Sequence, residues 1–214
     1  IIRYRQKPGN RLLIVDDASS DRSVTITGLR EQLAGQTSLD ISYAAVYRAS
    51  ANSKVDLFFR EVSQLRMFEW NWFRHWHLRT ALLDLDGVLC EDWKGPPEKD
   101  DDPAFREHLR NARPLYLPDV PIRSVVTSRL ERYRAETASW LERHGVQYDH
   151  LIMHSAKTPE ARRAAGDHAK RKARAYLKKP DASLFVESDI RQARIIHEYS
   201  KRPVLCTDTM ELLS

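Results

Sequence analysis

The stretch from Thr80 to Leu89 is the feature that most constrains this chain, and it reads TALLDLDGVL. Apolar residues lead into Asp84 and Asp86, and Gly87 follows the second acid. This pattern predicts a buried β-strand that ends in two carboxylates and a tight turn, at the strand end where open α/β sheets carry out their chemistry. Neighbouring carboxylates there repel each other unless a cation lies between them, and Mg²⁺ prefers such oxygen ligands. One acid can act as a nucleophile and the other as a proton donor and acceptor.

The composition excludes several classes of protein. The 214 residues suffice for one large domain or two small ones, and 42% hydrophobic with 30% charged residues is typical of a soluble globular protein. No apolar run approaches the ~20 residues of a membrane span, and no signal-peptide pattern is present. Cys90 and Cys206 form no disulfide framework and are interpreted as buried free thiols. We therefore expect a cytoplasmic protein without a membrane span.

The formal net charge of +5 suits an anionic substrate such as a phosphate, a nucleotide or a phosphorylated glycan. The basic residues cluster mainly in two predicted helical stretches, 129–143 and 162–179, where a solvated helix face is the usual explanation. We therefore expect no specific binding of nucleic acid, despite the positive charge.

The alternation of apolar and polar stretches indicates two α/β segments and a connector. The first segment, residues 1–62, has predicted strands at 11–15, 41–46 and 55–59 and a predicted helix at 23–33. Three strands are few for an independent core. Residues 63–79 are an aromatic connector. Its rings could form a stacking platform for a sugar or a base, but we favour the interpretation that they pack the two segments together.

The second segment, residues 80–214, shows the same alternation of predicted strands and helices. Its predicted strands lie at 81–83, 123–126, 150–153, 183–186 and 203–206, and its predicted helices at 103–111, 130–144, 160–178 and 190–200. Three polar pairs lie at the ends of its predicted strands: Asp84 with Asp86, Thr127 with Ser128, and Glu187 with Asp189. If these strands are neighbours in a parallel sheet, the pairs converge on one crevice.

These motifs, in this order, resemble those of the haloacid-dehalogenase-like (HAD) phosphatase superfamily over residues 80–210. The resemblance implies a Rossmann-like domain in which Asp84 is the nucleophile that forms an aspartyl-phosphate. Asp86 would protonate the leaving oxygen and then activate water. The hydroxyl of Thr127 would bind the phosphoryl group, with Ser128 as the near alternative.

The same resemblance implies a lysine and a second acidic motif. Lys172 on the predicted basic helix is the first choice for neutralising the phosphate and the nucleophile, and Lys170 is the second. Glu187 and Asp189 would complete a Mg²⁺ site with Asp84 and Asp86. Which of the two later acids touches the metal directly stays open, because Glu-Ser-Asp departs from the commoner pattern.

The interval between the first two motifs limits the size of any cap. Only 40 residues separate Asp86 from Thr127, which leaves room for a flap and one helix. A domain with such a minimal cap has an open site that accepts a bulky substrate. We interpret the acidic stretch 98–102 as a solvated loop rather than as a second metal site.

The run LLIVDDASS at positions 12–20 resembles the diphosphate-sugar binding motif of type I phosphoribosyltransferases. The resemblance implies that Asp16 and Asp17 bind the ribose hydroxyls of phosphoribosyl pyrophosphate (PRPP). The following loop, with Ser19, Ser20 and Ser23, would hold its 5-phosphate. The loop lacks the family's glycine and is short, and the α/β portion that precedes this motif in the family has only ten residues here. The segment is then either part of a longer transferase or a relic, and a plain strand–turn–helix is the alternative.

The order of the segments resembles fused transferase–phosphatase proteins that assemble ribofuranose-containing bacterial glycans. That resemblance implies transfer of a 5-phosphoribosyl group from PRPP to a glycan, followed by Mg²⁺-dependent removal of the 5-phosphate. One alternative is a phosphoribosyltransferase of nucleotide metabolism with an accessory HAD phosphatase domain. The other is a non-catalytic binding module.

Overall fold

The computed structural model describes residues 11–19, 24–37, 39–62, 69, 71–99 and 102–214. The chain divides into two compact units, Ile1–Arg66 and Met67–Ser214. Strands and helices alternate in both, and all strand pairs but one in the described residues are parallel. The predicted α/β class is therefore confirmed. Among the described residues, no helix has the length and apolar character needed to cross a membrane.

The first unit contains a parallel sheet of three strands in its described part. Its elements are β1 (Arg11–Ser19), α1 (Val24–Leu33), β2 (Asp40–Arg48) and β3 (Leu57–Glu61), and the strand order is β1-β2-β3. Ile26 of α1 and Tyr43 of β2 are buried, whereas Val15 and Phe59 are 59% and 82% exposed. The described core of this unit is accordingly small, as expected for so few strands.

The second unit is built on a sheet that, in its described residues, has six strands in the order β6-β5-β4-β7-β8-β9. Its strands are β4 (Ala81–Leu83), β5 (Ile122–Leu130), β6 (Tyr148–His154), β7 (Leu184–Glu187), β8 (Val204–Cys206) and β9 (Glu211–Leu213). Its helices are α2 (Pro103–Asn111), α3 (Arg134–Arg143), α4 (Pro159–Ala165), α5 (His168–Leu177) and α6 (Ile190–Ser200). Only the pair β8–β9 is antiparallel among these strands.

The central position of β4 explains its sequence and locates the site. Its three residues are fully buried, because a parallel strand that is covered on both faces needs apolar side chains throughout. Leu83 packs in a cluster with Trp140, and Leu82 packs on the other face with Tyr176. Since β5 and β7 flank β4, the carboxyl ends of these three strands lie side by side.

The described part of the aromatic connector packs within the second unit. Trp72 is 1% exposed and lies 5.0 Å from Tyr116, measured between ring centroids. Trp76 is 64% exposed and stacks on His77. Residues 63–68 and 70 lie outside the described part of the chain, and the expectation that this stretch joins the two segments stays a prediction.

Several predicted element bounds were wrong. The single helix predicted at 160–178 is two helices, α4 and α5, because Gly166 adopts a left-handed conformation with φ 56° that ends α4. The helix predicted to begin at residue 130 begins at Arg134, since β5 continues through Leu130. β1 does not end at Val15 but continues through Ser19, because its register with β2 runs past the acidic pair. The short strand β9 was not predicted.

Candidate active site

The turn after β4 places the two acidic motifs against each other. The N–H of Asp84 donates to the carbonyl of Val186 at 2.9 Å and so continues the ladder between β4 and β7. Gly87 follows with φ 81°, and a Cβ at this position would lie 2.2 Å from Ser188 Oγ. Two features therefore favour glycine at position 87, namely the positive φ and the close approach to the loop after β7.

A buried lysine joins the ends of β4 and β7. Lys172 of α5 is 3% exposed, and its Nζ donates to Asp84 Oδ2 at 2.7 Å, to Glu187 Oε2 at 2.6 Å and to Gln192 Oε1 at 3.2 Å. Lys170, the second choice from the sequence, is exposed. The structure thus brings Lys172 to the predicted nucleophile and leaves Lys170 on the surface.

The charges of this cluster shift its protonation equilibria. Burial raises the pKa of Asp84 well above its usual range, the neighbouring Glu187 and Asp86 raise it further, and Lys172 opposes this shift. Burial alone would lower the pKa of Lys172, but the attraction of Asp84 and Glu187 outweighs it and raises that pKa. A single ammonium group is shared between two buried carboxylates, so the cluster carries an excess of negative charge when both are ionised.

Glu187, the last residue of β7, and Asp189, two positions later, have different partners. Both oxygens of Glu187 are engaged, because Oε2 binds Lys172 while Oε1 accepts from the N–H groups of Ser188 and Asp189 at 3.0 and 3.3 Å. Asp189 caps α6, where its Oδ1 accepts from the N–H of Arg191 at 2.8 Å. The Arg191 side chain also binds Asp189, and these hydrogen bonds lower the pKa of the Asp189 carboxyl.

Arg129 is one of the site residues that the sequence reasoning missed. Its guanidinium binds Asp86 through Nε, at 3.1 and 3.0 Å from the two carboxylate oxygens, and through Nη2, at 2.6 Å from Oδ1. Burial raises the pKa of Asp86, but the charge of Arg129 outweighs this effect, so the pKa is lowered. Arg129 is 2% exposed, so its assignment to a solvated basic helix was wrong. A signal was available, because Arg129 lies two residues after Thr127 and such residues share a face of a strand.

The predicted hydroxyl residues face different groups. Thr127 Oγ1 donates to Asp86 Oδ2 at 3.4 Å and accepts from the N–H of Arg129 at 3.1 Å. Ser128 Oγ lies 3.0 Å from His168 Nδ1. Burial and the charges of Arg162 and Lys172 lower the pKa of His168, which favours the neutral ring near pH 7.

A cavity of about 350 Å³, here called the phosphate cavity, opens beside these groups. It is lined by Asp84, Asp86, Asp92, Ser128, Arg162, His168, Lys172, Ser188, Asp189 and Gln192. Four of these residues are aspartates, whereas only one lysine and one arginine line it. Burial and the nearby charges of Asp86, Glu187 and Asp208 raise the pKa of Asp92, another residue that the sequence reasoning missed. A phosphate could not bind beside this excess of carboxylates without a compensating cation.

The lining residues fit Mg²⁺ by the chemistry of their donors, since carboxylate oxygens are its usual protein ligands. Within the described ranges, no three His, Cys, Asp or Glu side chains are arranged at the spacing of a metal site. Each predicted ligand has a cationic partner, since Lys172 binds Asp84 and Glu187, Arg129 binds Asp86, and Arg191 binds Asp189. Asp84, Asp86 and Asp189 line the phosphate cavity, and Glu187 is not among its lining residues. Asp92 adds a fourth carboxylate to that wall.

The predicted PRPP motif lies within β1 of the first unit. Asp16 Oδ1 and Asp17 Oδ1 each accept from the next backbone N–H at 2.9 Å. Burial raises the pKa of Asp16, and the Asp17 side chain raises it further. Successive side chains of a strand point to opposite faces, so Asp16 and Asp17 lie on opposite faces of β1, and their binding of PRPP stays a prediction. Ser19 is buried, and Ser20 and Ser23 lie outside the described residues.

Comparison with protein-family models, curated proteins and solved structures gives no match to this chain. The resemblances stated above therefore depend on the quoted motifs and their order along the chain. The geometry contributes an independent observation, namely the contact of Lys172 with Asp84 and Glu187.

Proposed function

We propose that the second unit is a Mg²⁺-dependent phosphomonoesterase of the HAD type. The observation that supports this most directly is the buried contact of Lys172 with Asp84 and Glu187 on the wall of the phosphate cavity. A carboxylate nucleophile needs a fixed cation beside it, because phosphoryl transfer brings two anions together. Lys172 can supply that charge to both the nucleophile and the incoming phosphate.

The proposed reaction has two steps. An Asp84 oxygen attacks phosphorus, the bond from phosphorus to the leaving oxygen breaks, and the leaving oxygen takes a proton from Asp86. Asp86 must be protonated for this step, which requires that it first moves away from Arg129, the group that lowers its pKa in the described arrangement. Water then attacks the aspartyl-phosphate, Asp86 accepts a proton from that water, and the bond from phosphorus to Asp84 breaks to release inorganic phosphate. One residue thus serves as acid and then as base.

The groups around the cavity have distinct roles in this proposal. Ser128, the alternative to Thr127 in the sequence analysis, lines the phosphate cavity, whereas Thr127 is not among its lining residues. Ser128 and Arg162 can donate hydrogen bonds to phosphoryl oxygens, and Lys172 compensates their charge. Asp84, Asp189 and Asp92 would hold Mg²⁺, which when bound neutralises charge on the phosphate and its nucleophile. Arg129 holds Asp86 in the described arrangement, so Asp86 must leave at least one of these hydrogen bonds to reach a leaving oxygen.

The substrate proposed for this site is the 5-phosphate of a phosphoribosyl group, carried by a glycan and supplied by a transferase that uses PRPP. Support comes from the order of the motifs along the chain and from the small insertion between β4 and β5. There the described residues contain one helix, α2, and no cap domain. Such an opening suits a phosphate at the end of a large acceptor.

Phosphate release from ribose 5-phosphate with Mg²⁺ tests the activity. We expect Asp84→Asn to lose at least about a thousandfold in kcat, as for removal of a nucleophile. Asp181→Asn, in an exposed carboxylate of the same unit, is the matched control and should retain wild-type activity. No activity in the wild type would favour the non-catalytic binding module.

The substrate class needs a separate comparison. A phosphoribosylated glycan should be hydrolysed with a higher kcat/KM than nucleotides or small sugar phosphates. Equal turnover of all three would reject the glycan. A preference for nucleotides would favour the alternative role beside a transferase of nucleotide metabolism.

A further inference from the structure

A second cavity, of about 520 Å³, adjoins the phosphate cavity. The two cavities share four wall residues, Asp86, Asp92, Ser128 and Arg162. Asp86 is the residue that would protonate the leaving oxygen in the proposed reaction. Since Asp86 lines both cavities, a leaving oxygen that takes its proton can belong to a group bound in the second cavity.

An aromatic side chain is fixed on the wall of this second cavity. The indole N–H of Trp93 donates to the carbonyl of Pro96 at 2.7 Å, and its ring packs edge-to-face on Phe105 with centroids 5.7 Å apart. A Cβ at Gly95 would lie 2.1 Å from Trp93 Cζ2, so the loop closes tightly around the ring. A preorganised aromatic ring presents apolar surface to a ligand at little cost in conformational entropy.

A buried ion pair forms the polar part of the wall. Glu98 is 3% exposed, and its Oε2 lies 3.0 Å from Arg162 Nη2. The interpretation of 98–102 as a solvated loop was therefore wrong for Glu98, because its ion pair with Arg162 draws it out of solvent. Arg163 Nη1 donates to the Glu98 carbonyl at 2.8 Å, and Arg162 Nη1 donates to the Ser128 carbonyl at 3.0 Å. A carboxylate and a guanidinium side by side offer acceptors and donors for hydroxyl groups. Burial of this pair is costly unless its geometry is maintained.

The charges on the two walls differ. The second cavity is lined by three carboxylates, those of Asp86, Asp92 and Glu98, and by three guanidinium groups, those of Arg129, Arg162 and Arg163. Its ionisable side chains are thus balanced, whereas the phosphate cavity has more carboxylates than cations. A balanced wall favours a neutral ligand, because a further anion would find no unpaired cation to replace its water.

We propose that the second cavity is the subsite for the leaving alcohol and takes an uncharged sugar ring, with Trp93 beneath the ring and Glu98 and Arg162 on its hydroxyls. This inference rests on the proposed phosphatase and identifies the leaving groups that it selects. Esters whose alcohol is a neutral sugar are good substrates. Esters whose alcohol carries a second phosphate are poor ones.

The first test compares ribose 5-phosphate with acetyl phosphate, which has no ring. Trp93→Ala should lower kcat/KM for ribose 5-phosphate by roughly ten- to a hundredfold, the range found for loss of an aromatic stacking partner, and change that for acetyl phosphate less than about twofold. Trp93→Phe should recover most of the activity on ribose 5-phosphate. Trp76→Ala, in an exposed tryptophan of the same unit, should leave both substrates unaffected.

The second test compares ribose 5-phosphate with ribose 1,5-bisphosphate. The wild type should prefer the first substrate at least about tenfold, and Glu98→Gln, which removes one negative charge from the wall, should reduce that preference. If Trp93→Ala slows both substrates of the first test equally, or neither, the subsite is wrong while the phosphatase stands. A preference for the bisphosphate would also overturn it. If the wild type hydrolyses none of these esters, the proposed function itself fails.

Discussion

Arg129 is buried near the end of β5, and its guanidinium binds both carboxylate oxygens of Asp86 at distances of 2.6 to 3.1 Å. The arginine comes from β5 and the aspartate from the turn after β4, so the pair joins two motifs that are 43 positions apart in the chain. Asp86 lines both the phosphate cavity and the second cavity, and Arg129 lines the second.

Breaking this pair should cost stability. We expect Arg129→Met to lower the free energy of unfolding by about 2–4 kcal/mol, somewhat less than for a fully buried pair because Asp86 keeps partial contact with water. The double variant Arg129→Met with Asp86→Asn should recover most of the loss, because no unpaired charge is then left behind. Urea unfolding measures the free energy of unfolding of the single and of the double variant. A double variant as unstable as the single one would show that the ion pair is not the cause.

Lys172 and Lys170 offer a matched pair on one helix. Lys172→Met should reduce kcat for phosphate release by roughly a hundred- to a thousandfold, the range for loss of one charge-stabilising group in an active site. Lys170→Met should stay within about twofold of the wild type, since that side chain is exposed. Steady-state kinetics with ribose 5-phosphate gives kcat for both variants. Equal losses of kcat would contradict the assignment of Lys172 as the charge-stabilising group.

Gly87 should be less replaceable than Gly145. Both have a positive φ, of 81° and 70°, but a Cβ has open space at Gly145 and meets Ser188 at Gly87. We expect Gly145→Ala to cost about 1–2 kcal/mol from backbone strain. Gly87→Ala should cost at least about 1 kcal/mol more, because of the overlap. Thermal or urea unfolding gives the difference, and equal costs would argue against the close approach.

The cysteine thiols should be unreactive in the folded protein. Cys90 and Cys206 are both fully buried, and burial together with the charge of Asp86 raises the pKa of Cys90 well above its usual range. Since the thiolate is the reactive form, Ellman's reagent at pH 8 should detect almost no thiol in the native chain and two per chain in denaturant. Rapid reaction of the native protein would contradict the packing around β4 and β8.

Removal of divalent cations should abolish phosphate release. EDTA treatment is expected to eliminate activity, and added Mg²⁺ should restore it. Asp189→Asn and Asp92→Asn should each raise the Mg²⁺ concentration for half-maximal activity by about tenfold or more. Asp181→Asn again serves as the control. Full activity in EDTA would reject the metal dependence and leave the excess of carboxylates in the phosphate cavity without its proposed counterion.

Elements with strong local signals were predicted well. α2 and α6 lie at 103–111 and 190–200 as predicted, and each begins after an aspartate whose side chain accepts hydrogen bonds from the first turn. The break at Gly166 also had a local signal, a glycine suited to end a helix, but the surrounding basic residues favoured one continuous helix. The extent of β1 had no such signal, because only its pairing with β2 carries the strand past Asp16.

The sequence by itself determined the residue types of the candidate site and their order along the chain. Acids follow β4, hydroxyls lie on β5, lysines lie on α5, and acids lie at the end of β7 and directly after it. Only the tertiary structure decided that Lys172 contacts Asp84, that Arg129 binds Asp86 and that Asp92 joins the wall of the phosphate cavity. The physical reason is that strand order, register and burial determine which distant side chains meet. A carboxylate in a local pattern has the same chemistry whether its partner is a metal, a lysine or an arginine.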